Sequence, residues 1–126
     1  MSQGTVAVLG ASKDRGKFGN KAVRAYIRQG WTVYPVNPNE TEIEGVTAYK
    51  SILDVPRPVD RVTVYLSPKI GLTVLPDIAA VAPGEVFFNP GSDAPEVIAR
   101  ATELGLQPIV ACSIVDIGMT PAELPA

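Results

Sequence analysis

Gly10, Gly16 and Gly19 enclose one hydroxyl, Ser12, and three cations, Lys13, Arg15 and Lys17. The run before them, Val6 to Leu9, is apolar, rich in β-branched residues and stopped by Gly10, which reads as a short buried strand. Helical spacing resumes at about Lys21. A strand that hands over to a helix through glycines lets the backbone turn tightly, brings its N–H groups near a ligand and aims a helix N-terminus at it. The chemistry this offers is anion binding, phosphate above all. Close approach of the backbone is the reason for Gly10, where a side chain is expected to stand in the space of a diphosphate.

Proton transfer is poorly provided for. The sequence has no histidine, which removes the commonest general base, the commonest metal ligand and every histidine-dependent triad. One cysteine, Cys112, excludes an intrachain disulfide framework and fits a reducing, cytoplasmic setting. Cys112 reads first as a small buried hydrophobe; without a basic neighbour in sequence nothing activates its thiol. The formal charge of −2 gives no support for nucleic acid or an anionic membrane as partner. Met1 to Gly4 lack the basic start and apolar core of an export signal, and no apolar run approaches the roughly 20 residues of a membrane span.

These groups have to be positioned by a fold that 126 residues, 46% of them hydrophobic, can supply as one domain over 1–126. Apolar strands alternate with helical segments, which favours a mostly parallel sheet of five or six strands with helices on both faces. A helix is expected from about Gly19 to Gln29, with Gly30 as its stop. A strand follows from Thr32 to Val36, ended by Asn37 and Pro38. Residues 45–48 suggest a short edge strand, and Ser51 or Asp54 a single helical turn. Val62 to Leu66 form the next strand. Ser67 and Pro68 open a helix that Pro76 is expected to kink or delay. Glu85 to Asn89 form a strand, and Asp93 and Glu96 have capping-box spacing for a helix that Gly105 stops. Gln107 to Ala111 form the last strand. Pro121 and Pro125 suggest a tail over 117–126 that is partly ordered or frayed.

Open parallel sheets bind ligands beyond the carboxyl ends of their strands. The loops expected to meet there run from Gly10 to Gly19, Asn37 to Asn39, Ser67 to Ile70, Asn89 to Ser92 and Cys112 to Asp116. They offer backbone donors, cations, amides, hydroxyls, one thiol and one carboxylate, Asp116. That set suits a polyanion with an extended organic arm. The dinucleotide fingerprint fits less well: glycine spacing is 10, 16, 19, and the second strand ends in Asn37 where a carboxylate would hold the ribose. NADP is less disfavoured, since Lys13, Arg15 or Lys17 could meet its 2′-phosphate. Trp31, Tyr34 and Tyr65 read as packing residues of the sheet.

The segments Gly10 to Ser12, Lys17 to Gly19, Val33 to Pro38 and Asn89 to Gly91, together with Cys112, resemble the small bacterial CoA-binding proteins. Those are similar to the N-terminal, CoA-binding domain of the succinyl-CoA synthetase alpha subunit. The resemblance spans about Thr5 to Val115, and Pro35 to Pro38 is its most specific part. It implies a Rossmann-like, three-layer α/β domain with coenzyme A or an acyl-CoA as ligand, and in that family no reaction is generally assigned to the standalone members. By matching position it places Gly10, Ala11 and Ser12 at the phosphates, with Lys17, Phe18 and Gly19 completing the loop. Asn37 and Pro38 would border the adenosine, Leu66, Ser67 and Ile70 would flank the nucleotide, and Asn89, Pro90 and Gly91 would lie along the pantetheine path. Ala111 departs from the family, which commonly has arginine there. The expected function is a non-catalytic carrier, sensor or regulator, compatible with a protein partner or a homodimer. The alternatives are an NAD(P)-binding oxidoreductase or regulatory nucleotide-binding domain, and an interaction domain that has lost its ligand.

Overall fold

A computed structural model describes residues 3–126 of the chain. Its main sheet has five strands, β1 (Thr5–Leu9), β2 (Thr32–Val36), β5 (Arg61–Val64), β6 (Glu85–Phe88) and β7 (Pro108–Val110), in the order β2-β1-β5-β6-β7. Every pairing is parallel, with Val6 opposite Val33 and Arg61, and Val64 opposite Phe88. The architecture is α/β and Rossmann-like, as expected, with five strands in the main sheet. Val6 to Val8 are fully buried because β1 is central and covered on both faces. Val6 and Val8 meet α1 (Phe18–Arg28) through Ala22, Val23 and Tyr26. Ala7 and Leu9 face the layer of α2 (Pro68–Val81) and α3 (Pro95–Glu103). The chain leaves β1 towards β2 on one side and crosses back to β5 on the other. The crevice for a ligand therefore lies beyond the carboxyl ends of β1 and β5, where strand order reverses.

Several local expectations change. Residues 45–48 are not a single edge strand. They belong to a hairpin of β3 (Glu42–Ile43) and β4 (Val46–Thr47), turned by Glu44 and Gly45 at φ 51° and 79°. Both values are positive, as a type I′ turn requires. The sheet edge beyond β2 is extended by Tyr49 instead, which bridges to Val36. Pro76 neither delays nor ends α2: the helix begins at Pro68 and runs through it. Pro76 itself is exposed. The Asp93–Glu96 capping box does not form. The cap position belongs to Ala94 with Pro95 after it, and Asp93 accepts the Gly91 N–H at 3.3 Å.

The last residues are packed, in place of the fraying that two prolines suggest. After α4 (Ser113–Asp116) and a 3-10 turn at Pro121–Glu123, Leu124 is fully buried against the α1 face of the core. Met119 and Ile117 pack on the same cluster. Among the described residues no helix is long and apolar enough to cross a membrane. Leu124→Ala is expected to cost about 2–4 kcal/mol, as large-to-small changes at fully buried sites do. Urea unfolding checks this, and an unchanged midpoint would mean that the tail contributes nothing to the core.

Candidate functional site

Two glycines make the turn after β1 possible, for different reasons. Gly10 has φ +83°, and a Cβ there would collide with the backbone carbonyl of Tyr65. Gly19 sits so close to the Gly10 carbonyl that a Cβ would overlap it. The expected role of Gly10, leaving room for a diphosphate, is therefore preceded by a structural one: any side chain there strikes the Tyr65 carbonyl, just past β5, first. Gly16 is different. A Cβ there meets the Asp14 side chain at 3.4 Å and the Ala126 Cβ at 4.0 Å, both ordinary contacts.

The loop between these glycines is fixed from behind by polar side chains. Asn20, fully buried, donates to the Ser12 carbonyl at 2.9 Å and to Glu44 Oε2 at 3.0 Å. It accepts from Arg24 Nε at 2.7 Å. Arg24, 6% exposed, also donates to the carbonyls of Arg15, Pro125 and Leu124 at 3.0, 2.8 and 3.3 Å. Burial, then Arg15, lowers its pKa below the usual value. From the other side Asn37 Nδ2 donates to the Ala11 carbonyl at 2.8 Å. Its amide holds the loop, beyond the ligand-bordering role that the resemblance implies. Within the loop, Ser12 Oγ accepts the Asp14 N–H and Asp14 Oδ1 accepts the Gly16 N–H, both at 3.0 Å.

Of the three loop cations, two are already engaged. Lys13 Nζ lies 3.1 Å from Glu40, and Arg15 Nη1 2.6 Å from Glu44. Lys17 has no ion-pair partner among the described residues. It is the N-cap residue of α1, whose start carries no side-chain cap and no acidic residue. Helix N-termini left this way present N–H groups to an anion. The α2 start, at Ser67 and Pro68, is likewise uncapped by a side chain.

The two helix starts border adjoining cavities. The larger, about 450 Å³, is lined by Gly10, Ala11, Ser12, Lys17, Asn37, Pro38, Leu66 and Ile70 of the expected residues. The smaller, about 290 Å³, is lined by Phe18, Gly19, Ser67, Pro90 and Gly91, and shares Gly10, Lys17 and Leu66 with the first. Of the lining residues, Phe18 and Ile70 stand 56% and 51% exposed.

Asn89 is the expected residue that the structure withdraws. It is 1% exposed and lines neither cavity. Its amide donates to Thr63 Oγ1 and the Val64 carbonyl at 2.7 and 3.0 Å, and its oxygen accepts the Ser113 N–H at 2.8 Å. Cys112 also lines neither cavity and packs against the α1-side core. Asp116 is carried by α4 away from the carboxyl edge and pairs with Arg61 at 2.8 Å. Arg61 is held as well by Glu85 at 2.6 Å and by the rings of Trp31 and Phe87, 4.9 and 4.3 Å away. A further cavity of about 600 Å³ opens beside it, but its cation is already matched by two carboxylates.

Tyr65, read from sequence as packing, lines both cavities. Burial pushes its hydroxyl up to about 12, against hydrogen bonds with Ser113 and Thr63, so it is neutral at ordinary pH. Also unforeseen are Lys50, Ser51 and Ile52, from the irregular region, and Val74 and Asp77 of α2. Val74 and Asp77 follow Ile70 at i+4 and i+7, a spacing that marks one helix face.

A sequence model of the CoA binding domain family matches residues 4–118. The alpha subunit of the ADP-forming acetate–CoA ligase I of Pyrococcus furiosus is 30% identical over 97% of this chain, which covers 30% of that subunit. A conserved hypothetical protein of the same organism has a solved structure with TM-score 0.82 and 32% identity, matching 89% of this chain and 97% of that one. The dinucleotide-forming acetyl-coenzyme A synthetase 1 of Ca. Korarchaeum cryptofilum, solved with phosphate and ADP, gives TM-score 0.76 and 27% identity over 87% of this chain and 26% of its own. The chain spans less than a third of the curated relatives it matches.

Two outcomes follow from the geometry. Gly19→Ala is expected to destabilise by about 2–3 kcal/mol through backbone overlap, whereas Gly16→Ala leaves the melting temperature unchanged or slightly raised; thermal unfolding of both variants separates them. The hydrogen bond from Asn20, then Arg15, holds the Glu44 carboxyl below its usual pKa. A lowered folded-state pKa adds stability above the unfolded value of about 4.3 and loses it as pH falls through the folded one. The stability advantage over Glu44→Gln is expected to be constant above that value and to shrink below it, read by urea titrations from pH 7 to 3. With the loop, its supports and the match over residues 4–118 in view, this chain belongs to the CoA binding domain family.

Proposed function

We propose that this chain binds coenzyme A or an acyl-CoA at the carboxyl edge of its sheet and carries out no reaction of its own. The observation that carries this reading is the pair of adjoining cavities sharing Gly10, Lys17, Tyr65 and Leu66 over the uncapped start of α1. The diphosphate would lie over Lys17 and the first turn of α1, where N–H groups and one ammonium favour negative charge. Val36, Pro38, Ile52, Leu66, Ile70 and Val74 give the larger cavity apolar walls suited to a nucleoside. The smaller cavity, between Phe18 and Pro90–Gly91, would take the pantetheine arm.

The absence of catalysis rests on the lining. Its titratable groups are Lys17, Lys50, Asp77 and a neutral Tyr65. Among the described residues no cluster is suited to holding a metal ion. Such a module serves as carrier, sensor or regulator. The relatives named as ligase subunits support a protein partner that would use the bound CoA. A dinucleotide is the second reading, and Asn37 speaks against it: the residue where a ribose-binding carboxylate would stand has its amide bound to the Ala11 carbonyl.

Mass action decides between them. A ligand at 100 times its dissociation constant adds about 2.7 kcal/mol to stability. CoA is expected to raise the melting temperature clearly and NAD to leave it unchanged. Greater stabilisation by NADP or NADH than by CoA would replace this reading with the second.

A further inference from the structure

We propose that Lys50 binds a second phosphate of the ligand, the ribose phosphomonoester that separates CoA from its dephospho form. This rests on the CoA reading and adds to it the part of the ligand that is discriminated. The argument starts from which cations remain available. Lys13 and Arg15 are paired with Glu40 and Glu44, and Arg24 is spent on backbone carbonyls and Asn20. Lys17 and Lys50 are the two cations lining the larger cavity, and neither has an ion-pair partner among the described residues.

They stand on opposite sides of the sheet edge. Lys17 caps α1, which packs on the Val6 and Val8 face. Lys50 leads into the 3-10 turn Ile52–Asp54, whose Ile52 joins the core with Leu75 and Ile78 of α2 on the Ala7 and Leu9 face. On this placement a diphosphate over the start of α1 would engage Lys17 and leave Lys50 for a separate phosphomonoester on the ribose.

The backbone on either side of Lys50 is fixed. The Tyr49 N–H donates to the Pro35 carbonyl at 2.8 Å, and the Asn37 N–H donates to the Tyr49 carbonyl at 2.9 Å. Ser51 Oγ accepts the Leu53 N–H at 3.1 Å. Only the side chain of Lys50 has to order on binding, which limits the entropy lost. Asp77 is the one carboxylate on the lining, so two ammonium groups face one carboxylate and the cavity keeps a net positive charge.

The test is calorimetric titration of the full chain with CoA and with 3′-dephospho-CoA. The wild type is expected to bind CoA roughly tenfold more tightly, the low end for a charge-assisted hydrogen bond at an exposed site. Lys50→Ala is expected to bind CoA as weakly as dephospho-CoA, with dephospho-CoA affinity unchanged, while Lys50→Arg keeps the preference. Lys17→Ala is expected to weaken both ligands by the same factor. A wild type without preference overturns the inference and leaves the CoA reading standing. So does a preference that survives in Lys50→Ala, or a loss of dephospho-CoA affinity in that variant. Failure of CoA to bind the wild type overturns the CoA reading itself.

Discussion

The backbone contact between the Gly10 carbonyl and Gly19 sets the geometry on which the rest depends. It brings the first turn of α1 against the end of β1 with no side chain between them. That contact forces the intervening residues out into a loop over the carboxyl edge, where Ser12 and Asp14 accept some of its own N–H groups. A parallel sheet supplies the other half of the arrangement, because every strand ends at the same edge and all the following loops converge there. The two cavities are what remains between these loops once the glycine contact is made.

A loop pushed outward needs support, and here polar side chains beneath it provide that support. Asn20 and Arg24 lie one helical turn apart on α1 and act as one unit, joined at 2.7 Å, with Ser12 and Arg15 carbonyls above and Glu44 to the side. Burying a guanidinium costs several kcal/mol unless its donors are satisfied. Arg24 satisfies its donors with an amide oxygen and three backbone carbonyls, so the unit holds only as an ensemble. Glu44 joins this unit from the β3–β4 turn, where it holds a positive φ of 51°. The turn demands that φ of any residue there, and one without a side-chain carboxylate would leave Arg15 and Asn20 short of an acceptor.

Much of this was legible in the sequence, where the information is local. β1 and β2 follow from uninterrupted apolar runs closed by a glycine and by Asn37–Pro38, and α1 from its spacing. The loop residues of the site follow from glycine positions and from the resemblance. What escaped depends on long-range partners. Lys13 and Arg15 look like free cations until the chain returns with Glu40 and Glu44. Lys50 to Ile52 lie in a stretch without periodicity and reach the site only because Tyr49 pairs with Val36. Asn89 has the type and position of a ligand-binding amide, yet its bonds point down into the sheet, to Thr63, Val64 and Ser113. The tail shows the same limit: two prolines argue against regular structure, but Leu124 has a core site waiting for it.

Arg24 grips the Arg15 carbonyl with the same guanidinium nitrogen that reaches the Leu124 carbonyl. Residues 124–125 and the glycine loop thus share a single fastening, although about a hundred positions separate them. Free energies that meet at one group are reciprocal. Whatever tightens the loop steadies the closing residues by the same amount, and a neighbour that tugs on those residues is felt at the mouth of the crevice.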